Sequence, residues 1–196
     1  MRTTQRTFER LVRLAATQHG FVRTADLEDV GISQTYLRKQ VAAGRAEQRA
    51  QGLYRISAIP ESAHDEFMEA ILWANATAIG GESALSLWDL ADVNPRQITV
   101  IVPPSHRVRR SGGSNVKVIY KELRGREIDE VDGIPVVRPA MAIAQAITAG
   151  TERTLIEQAI SKVRKRGMIQ PLSEARLRVS LEDYYTTKRR SERVTS

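Results

Sequence analysis

The hydrophobic and polar positions at the start of the chain follow a helical pattern. Phe8, Leu11, Val12 and Ala15 are spaced three and four residues apart, and charged residues lie between them. This spacing places the apolar side chains on one face of a helix. It predicts a first amphipathic helix that ends before Gly20.

The next segment predicts two more helices joined by a very short turn. Thr24 is a helix-capping residue ahead of an acidic, partly apolar stretch, and Gly31 permits a tight stop. Ser33 follows as the N-cap of a third helix, on which Leu37 and Val41 are one turn apart. The third helix is expected to bury these two side chains and to expose its opposite face.

Residues 45–56 have the pattern of a β-hairpin, with two short strand-like runs on either side of Gly52. Three helices followed by a hairpin are the elements of a winged helix-turn-helix. We therefore predict this domain over residues 1–60 and a second domain over residues 61–196.

The second domain alternates between helical and strand patterns. Strands are predicted at 98–102 and 116–120, joined by a Gly/Ser hairpin loop, and near 134–137. Helices are predicted at 65–75, 85–90, 139–149, 152–165 and 173–181. The predicted fold class is α+β and helix-rich, with an N-terminal winged helix-turn-helix and a mixed α/β C-terminal domain.

Charge is distributed unevenly along the chain. The formal net charge is +7, and the three segments 1–60, 61–150 and 151–196 carry +5, −3 and +5. The two ends, 1–60 and 151–196, are basic and favour a polyanionic partner, and the second of them includes the basic tail 188–196. The acidic middle segment indicates that nucleic acid is not the only partner.

The predicted recognition surface lies on the outer face of the third helix and on the hairpin. Polar side chains at the start of a groove-inserted helix can read base edges, whereas hairpin arginines mostly meet phosphates. The predicted DNA-binding residues are Ser33, Gln34, Thr35, Arg38, Lys39, Arg49, Gln51 and Arg55. A winged helix that binds only protein remains an alternative, because small helical modules often carry a charged outer face.

Two further basic clusters are candidates for secondary phosphate or partner contacts. Their members are Arg107, Arg109, Arg110, Arg164, Lys165 and Arg166. The charges of each cluster can also be explained without a ligand. The first lies in a Gly/Ser loop, and the second suits the negative end of a helix dipole.

The sequence argues against catalysis and metal binding. The chain has no cysteine, and its three histidines lack metal-ligand spacing. No phosphate-binding loop, nucleophile elbow or Asp/Glu-x-Lys nuclease pattern is present, and the acidic residues 127–132 predict a solvated turn. We expect no enzyme activity, cofactor or metal. No apolar run is long enough to cross a bilayer, so we expect a cytoplasmic protein without a membrane partner.

The order of several motifs resembles a known family. The run from Gly20 to Ile56, which ends in GLYRI, is similar to the winged helix-turn-helix of AbiEi-type antitoxins. The similarity continues through ESALSLWDL at 82–90, ITVIVP at 98–103 and GIPVVRP at 133–139.

The resemblance implies a bacterial type IV toxin–antitoxin component. Such a protein represses its own operon by binding inverted repeats, and it neutralises a co-transcribed nucleotidyltransferase-like toxin. Self-association on DNA fits this reading. The alternative is a winged-helix transcription factor with no toxin partner, in which the C-terminal domain dimerises or senses a ligand.

Overall fold

The α+β, helix-rich fold class is confirmed. The structure is a computed structural model that describes residues 2–108 and 115–194. These residues form helices and two β-sheets, of which one has three strands and lies in the amino-terminal module and the other has five strands and lies in the remainder.

The amino-terminal module has the elements of a winged helix-turn-helix. They are α1 (Arg2–Ala16), β1 (Phe21–Arg23), α2 (Asp26–Asp29), α3 (Gln34–Ala42), β2 (Ala46–Ala50) and β3 (Leu53–Ile56). The three strands are antiparallel in the order β1-β3-β2. The predicted hairpin is confirmed, whereas β1 had no signal because only three residues form it.

The predicted cap of α2 is wrong. Its N-cap is Ala25, and no side chain accepts a hydrogen bond there. Thr24 instead continues the sheet, since its backbone N–H donates to the carbonyl of Gly52 at 3.0 Å. Asp26, the first helical residue, binds the guanidinium of Arg23 at 2.7 Å.

The second module is a mixed sheet with helices packed against it. Its strands are β4 (Ala78–Ile79), β5 (Ile98–Val102), β6 (Val116–Tyr120), β7 (Ile128–Val131) and β8 (Ile134–Val137), in the order β6-β5-β4-β8-β7. Its helices are α4 (Asp65–Ala74), α5 (Gly81–Leu87), the short 3-10 helix Gly125–Glu127, α6 (Pro139–Ala149), α7 (Arg153–Lys165) and α8 (Pro171–Val194).

Two predicted connections in this sheet are wrong. β5 and β6 pair in parallel, with Ile98 opposite Val116, so the segment between them is a crossover and not a hairpin loop. The acidic residues 127–132 are not all in a turn, because Ile128–Val131 forms β7 and pairs with β8. Both runs have strand-forming patterns, but strand direction and pairing depend on distant residues.

Helix α8 extends well beyond the predicted segment 173–181. Leu177 and Leu181 are buried against the second module, and the hydroxyl of Tyr185 donates to the carbonyl of Thr151 at 2.5 Å. Residues 188–194 of the predicted basic tail continue this helix.

The described residues form two hydrophobic clusters that meet at the first sheet. One lies within the amino-terminal module and includes Leu11, Leu27 and Leu37. The larger one fills the second module, but it also contains Phe21 of β1 and Leu53 of β3. One face of the amino-terminal sheet therefore packs against the second module.

Candidate nucleic-acid interface

Helix α3 starts with a side-chain cap that the sequence predicted. Ser33 is extended at φ −79° and ψ 149°, and its hydroxyl accepts a hydrogen bond from the backbone N–H of Tyr36 at 3.2 Å. Gly31, at φ 61°, makes the short turn between α2 and α3. This turn is fastened to α1, because Arg10 Nη2 donates to the Gly31 carbonyl at 2.9 Å.

The outer face of α3 is exposed as predicted. Ser33, Gln34, Thr35, Arg38 and Lys39 are all accessible to solvent. Within the described part of the chain, no ion pair or hydrogen bond engages the charged end of Arg38 or Lys39. These two cations are therefore free to contact phosphates or base edges.

The opposite face of α3 is anchored in the module core. Leu37 is buried as predicted, and Gln40 is also buried, with 2% of its surface exposed. The side-chain oxygen of Gln40 has no hydrogen-bond partner in the structure. Sequence reasoning missed Gln40, because a polar residue next to two cations resembles part of the solvent face.

The tip of the wing is open, but its arginines are already engaged. Gln51 is exposed in the turn between β2 and β3, beside Gly52 at φ +72°. Arg49 Nε lies 3.2 Å from Glu69 Oε1 on α4, and Arg49 Nη1 lies 3.3 Å from Glu47 Oε1. The hydrogen bond and charge of Glu69 raise the pKa of Arg49. Arg49 therefore contacts the second module, although its side chain is still 40% exposed.

Arg55, the other predicted hairpin contact with DNA, is buried at the contact between the two modules. Only 8% of the residue is exposed, and its Nη2 lies 2.8 Å from Asp65 Oδ2 at the start of α4. Its Nη1 donates to the carbonyl of Ile59, and its guanidinium lies 5.6 Å from the centre of the Phe21 ring. Because this side chain is buried and paired with Asp65, we expect it to stabilise the contact between the modules and not to reach a phosphate.

Three arginines of the amino-terminal module contact α4 at successive points along its length. Arg55 binds Asp65 in the first turn, and Arg49 binds Glu69 in the middle. Arg23 Nη1 donates to the side-chain oxygen of Asn75, the C-cap, at 2.8 Å. These contacts fix the winged module against α4, so both predicted hairpin cations, Arg49 and Arg55, make contacts within the protein.

The turn between β7 and β8 also touches the winged module. Asp132, at φ 50°, accepts from His19 Nε2 through its carbonyl at 2.6 Å. Its carboxylate lies 2.7 Å from His64 Nδ1. His19 Nδ1 lies 3.1 Å from the hydroxyl of Ser62, which donates to Asp65 Oδ1 at 2.6 Å. Histidines that looked scattered in the sequence therefore meet at the contact between the two modules.

The burial of Asp65 would by itself raise its pKa. Hydrogen bonds from Ser62 and Arg55 outweigh this effect, so the pKa of Asp65 is lowered below its ordinary value of 3.8. The carboxylate remains ionised and holds Arg55 in place.

The secondary basic clusters occupy different surroundings. The guanidinium of Arg107 lies 5.5 Å from the ring centre of Tyr120, while Arg109 and Arg110 lie outside the described residues. Arg166 binds Asp89 and donates to the carbonyl of Trp88, so it is a structural contact. Arg164 lies 3.6 Å from Glu174 but is 70% exposed, and Lys165 is exposed.

The described residues contain no group of three or more His, Asp or Glu side chains placed to hold a metal ion. In the same residues, no helix is long and apolar enough to span a membrane.

Comparisons with known proteins agree with the resemblance found in the sequence. Residues 9–57 match the family described as "Transcriptional regulator, AbiEi antitoxin". This segment includes α2, α3 and both strands of the wing, so the predicted AbiEi-type character of the amino-terminal module is confirmed. That family is one of transcriptional regulators and not of enzymes.

The fold also occurs in a solved structure. The crystal structure of the RV2827C protein from Mycobacterium tuberculosis is similar over 91% of this chain and 77% of that chain, with a TM-score of 0.51 and 15% sequence identity. At this identity the likeness shows the fold alone. A search of curated proteins gave no match.

Proposed function

We propose that this chain, whose residues 9–57 match the AbiEi antitoxin family of transcriptional regulators, is an antitoxin that represses its own operon. Its winged helix-turn-helix binds inverted repeats in the promoter DNA. Its second module neutralises a co-transcribed nucleotidyltransferase-like toxin. The protein works in the bacterial cytoplasm and acts by binding, without catalysis.

The observation that carries the DNA-binding part is the free outer face of α3. A capped helix that is anchored by Leu37 on one side presents Arg38 and Lys39 on the other, and neither cation has an ion pair with another described residue. Such a helix can enter the major groove while its cations neutralise phosphates or bind base edges. Gln51 at the wing tip is the second contact that we propose.

The uneven distribution of charge along the chain supports a second partner besides DNA. The segment 61–150 has a net charge of −3, which disfavours a continuous DNA surface over this part of the chain. We place the toxin contact in the second module for this reason. Arg107, Arg164 and Lys165 remain proposed secondary contacts, either with phosphates beyond the recognition helix or with the toxin.

DNA binding is tested by fluorescence anisotropy with a duplex taken from the region upstream of the gene. We expect sequence-selective binding whose logarithmic affinity falls linearly with the logarithm of salt concentration, by about 0.9 for each neutralised phosphate. Replacing Arg38 and Lys39 together by alanine is expected to abolish selective binding. The double variant Arg124→Ala/Arg126→Ala is a matched control, since it also removes two exposed cations, but from the second module.

Selective binding by the Arg38/Lys39 double variant would move the recognition surface away from α3. A wild-type chain that binds its upstream duplex no better than an unrelated duplex would contradict the proposed repressor function.

Neutralisation is tested by expressing the neighbouring gene with and without this chain. The proposal expects that gene to arrest growth when expressed alone, and this chain to restore growth. Restoration by the Arg38/Lys39 double variant would show that neutralisation does not require DNA binding. If the neighbouring gene never affects growth, the alternative of a transcription factor without a toxin is favoured.

A further inference from the structure

The second module contains an open cavity of about 460 Å³ at the side of its sheet. The sheet provides its floor through Thr99 of β5 and through Lys117 and Ile119 of β6. Thr99 and Lys117 are directly paired in the parallel ladder, and Ile119 is two residues further along β6. These three side chains therefore lie on the same face of the sheet.

Helix α6 forms one wall of this cavity. Gln145 and Ala149 both line it, and their spacing of four residues places them on one face of the helix. The side-chain oxygen of Gln145 accepts from the backbone N–H of Gly81 at 2.7 Å. Because the oxygen is held in this way, the two N–H groups of the same amide are left to donate elsewhere.

The loop before β5 also lines the cavity and brings a second cation. Arg96 lines the cavity together with the amide residues Asn94 and Gln97. Arg96 and Lys117 are both exposed, and among the described residues neither has an ion pair. The one carboxylate in the lining, Glu82, already accepts from the hydroxyl of Thr151 at 2.6 Å.

The lining thus combines two free cations, several amide groups and an apolar patch formed by Ile119 and Ala149. Its volume falls within the range of roughly 300–1,000 Å³ that is typical of small-molecule sites. Two cations in one lining suit phosphate groups, and amides beside an apolar surface suit a base with donors and acceptors at its edge.

We propose that this cavity binds a small phosphate-bearing ligand of the nucleotide class. Arg96 and Lys117 hold the phosphates, and the base lies against Ile119 and Ala149 within reach of the Gln145 amide. The site is on the second module, away from α3, and its existence does not depend on the proposed DNA binding.

The test is isothermal titration calorimetry of the full chain with ATP and, separately, with inorganic pyrophosphate. We expect saturable binding of ATP with one site per chain. The double variant Arg96→Ala/Lys117→Ala is expected to weaken it by about tenfold or more, because it removes charge-assisted hydrogen bonds. Ala149→Phe is expected to weaken ATP binding without changing the charge, because the ring occupies the space for the base.

Lys121→Ala is the matched control, since it removes a cation that follows β6 but does not line the cavity. Equal weakening by this control and by the double variant would show nonspecific attraction and overturn the proposal. Pyrophosphate that binds as tightly as ATP would overturn the part of the proposal that concerns the base. If neither compound gives a heat of binding at millimolar concentration, the whole proposal is overturned. It is also overturned if promoter DNA displaces ATP and the Arg38/Lys39 double variant no longer binds ATP, because ATP would then bind at the DNA surface. Circular dichroism and thermal unfolding of each variant separate loss of the site from loss of the fold.

Discussion

Replacing Arg55 by alanine is expected to destabilise the protein while leaving the intrinsic contacts with DNA unchanged. The Arg55 and Asp65 side chains are only 10% and 15% exposed, so the change leaves a carboxylate in a mostly dehydrated position. The two charged groups are 2.8 Å apart, and the guanidinium also bonds the Ile59 carbonyl and lies against Phe21.

The magnitude follows from these contacts. Removing one partner of a buried ion pair costs about 3–5 kcal/mol, and the remaining exposure and the Ser62 hydrogen bond to Asp65 reduce this figure. The lost contact with Phe21 adds about 0.5–1 kcal/mol. We therefore expect the free energy of unfolding to fall by about 2–4 kcal/mol, and the melting temperature by roughly 5–15 °C.

Urea unfolding of the single variants Arg55→Ala and Asp65→Ala and of the double variant measures this effect. The double-mutant cycle is expected to give a coupling free energy of about 1–3 kcal/mol. Arg49→Ala is the matched control from the same sheet. Its pair with Glu69 is more exposed, at 40% and 27%, so the expected loss is below about 1 kcal/mol.

DNA binding by Arg55→Ala provides the decisive comparison. At a temperature where the variant is fully folded, the slope of logarithmic affinity against logarithmic salt concentration is expected to match that of the wild type. If Arg55 contacted a phosphate, its loss would instead make this negative slope shallower, by about 0.9. A shallower slope together with unchanged stability would refute the structural role that we assign to Arg55.

Three further predictions concern the amino-terminal module and its contact with α4. Ser33→Ala removes the α3 cap, and urea unfolding is expected to show a free energy of unfolding that is lower by about 1 kcal/mol. Ser33→Asp is expected to retain most of the stability, because a carboxylate can also accept the capping hydrogen bond. Equal losses in both variants would contradict the capping role. Gln40→Met places an apolar side chain where an amide oxygen is buried without a partner. The free energy of unfolding is therefore expected to rise by about 1 kcal/mol. A decrease would mean that the Gln40 amide stabilises the fold. The pKa of Asp65 is lowered in the folded state, so its stabilising contribution is complete above its ordinary pKa of 3.8 and is lost as the pH falls below that value. Melting temperatures measured from pH 6 to pH 3 should therefore fall less steeply for Asp65→Asn than for the wild type, and parallel curves would show that Asp65 does not contribute.

The sequence by itself determined most of the local elements. Ser33 caps α3 as predicted because capping requires only a hydroxyl three residues ahead of a free backbone N–H. The strands at 98–102 and 116–120 and the helix from Pro139 to Ala149 also occur at the predicted positions. Their apolar patterns and bounding residues are properties of short segments, which the sequence displays directly.

Only the tertiary structure decided which charges are free. Arg38 and Arg55 are both arginines in a basic module, yet Arg38 faces solvent and Arg55 is buried against Asp65. The parallel pairing of β5 with β6 places Lys117 beside Thr99 and brings both to the same cavity as Gln145. These residues are far apart along the chain, and their contacts arise from long-range packing, which has no signature in a short segment of sequence.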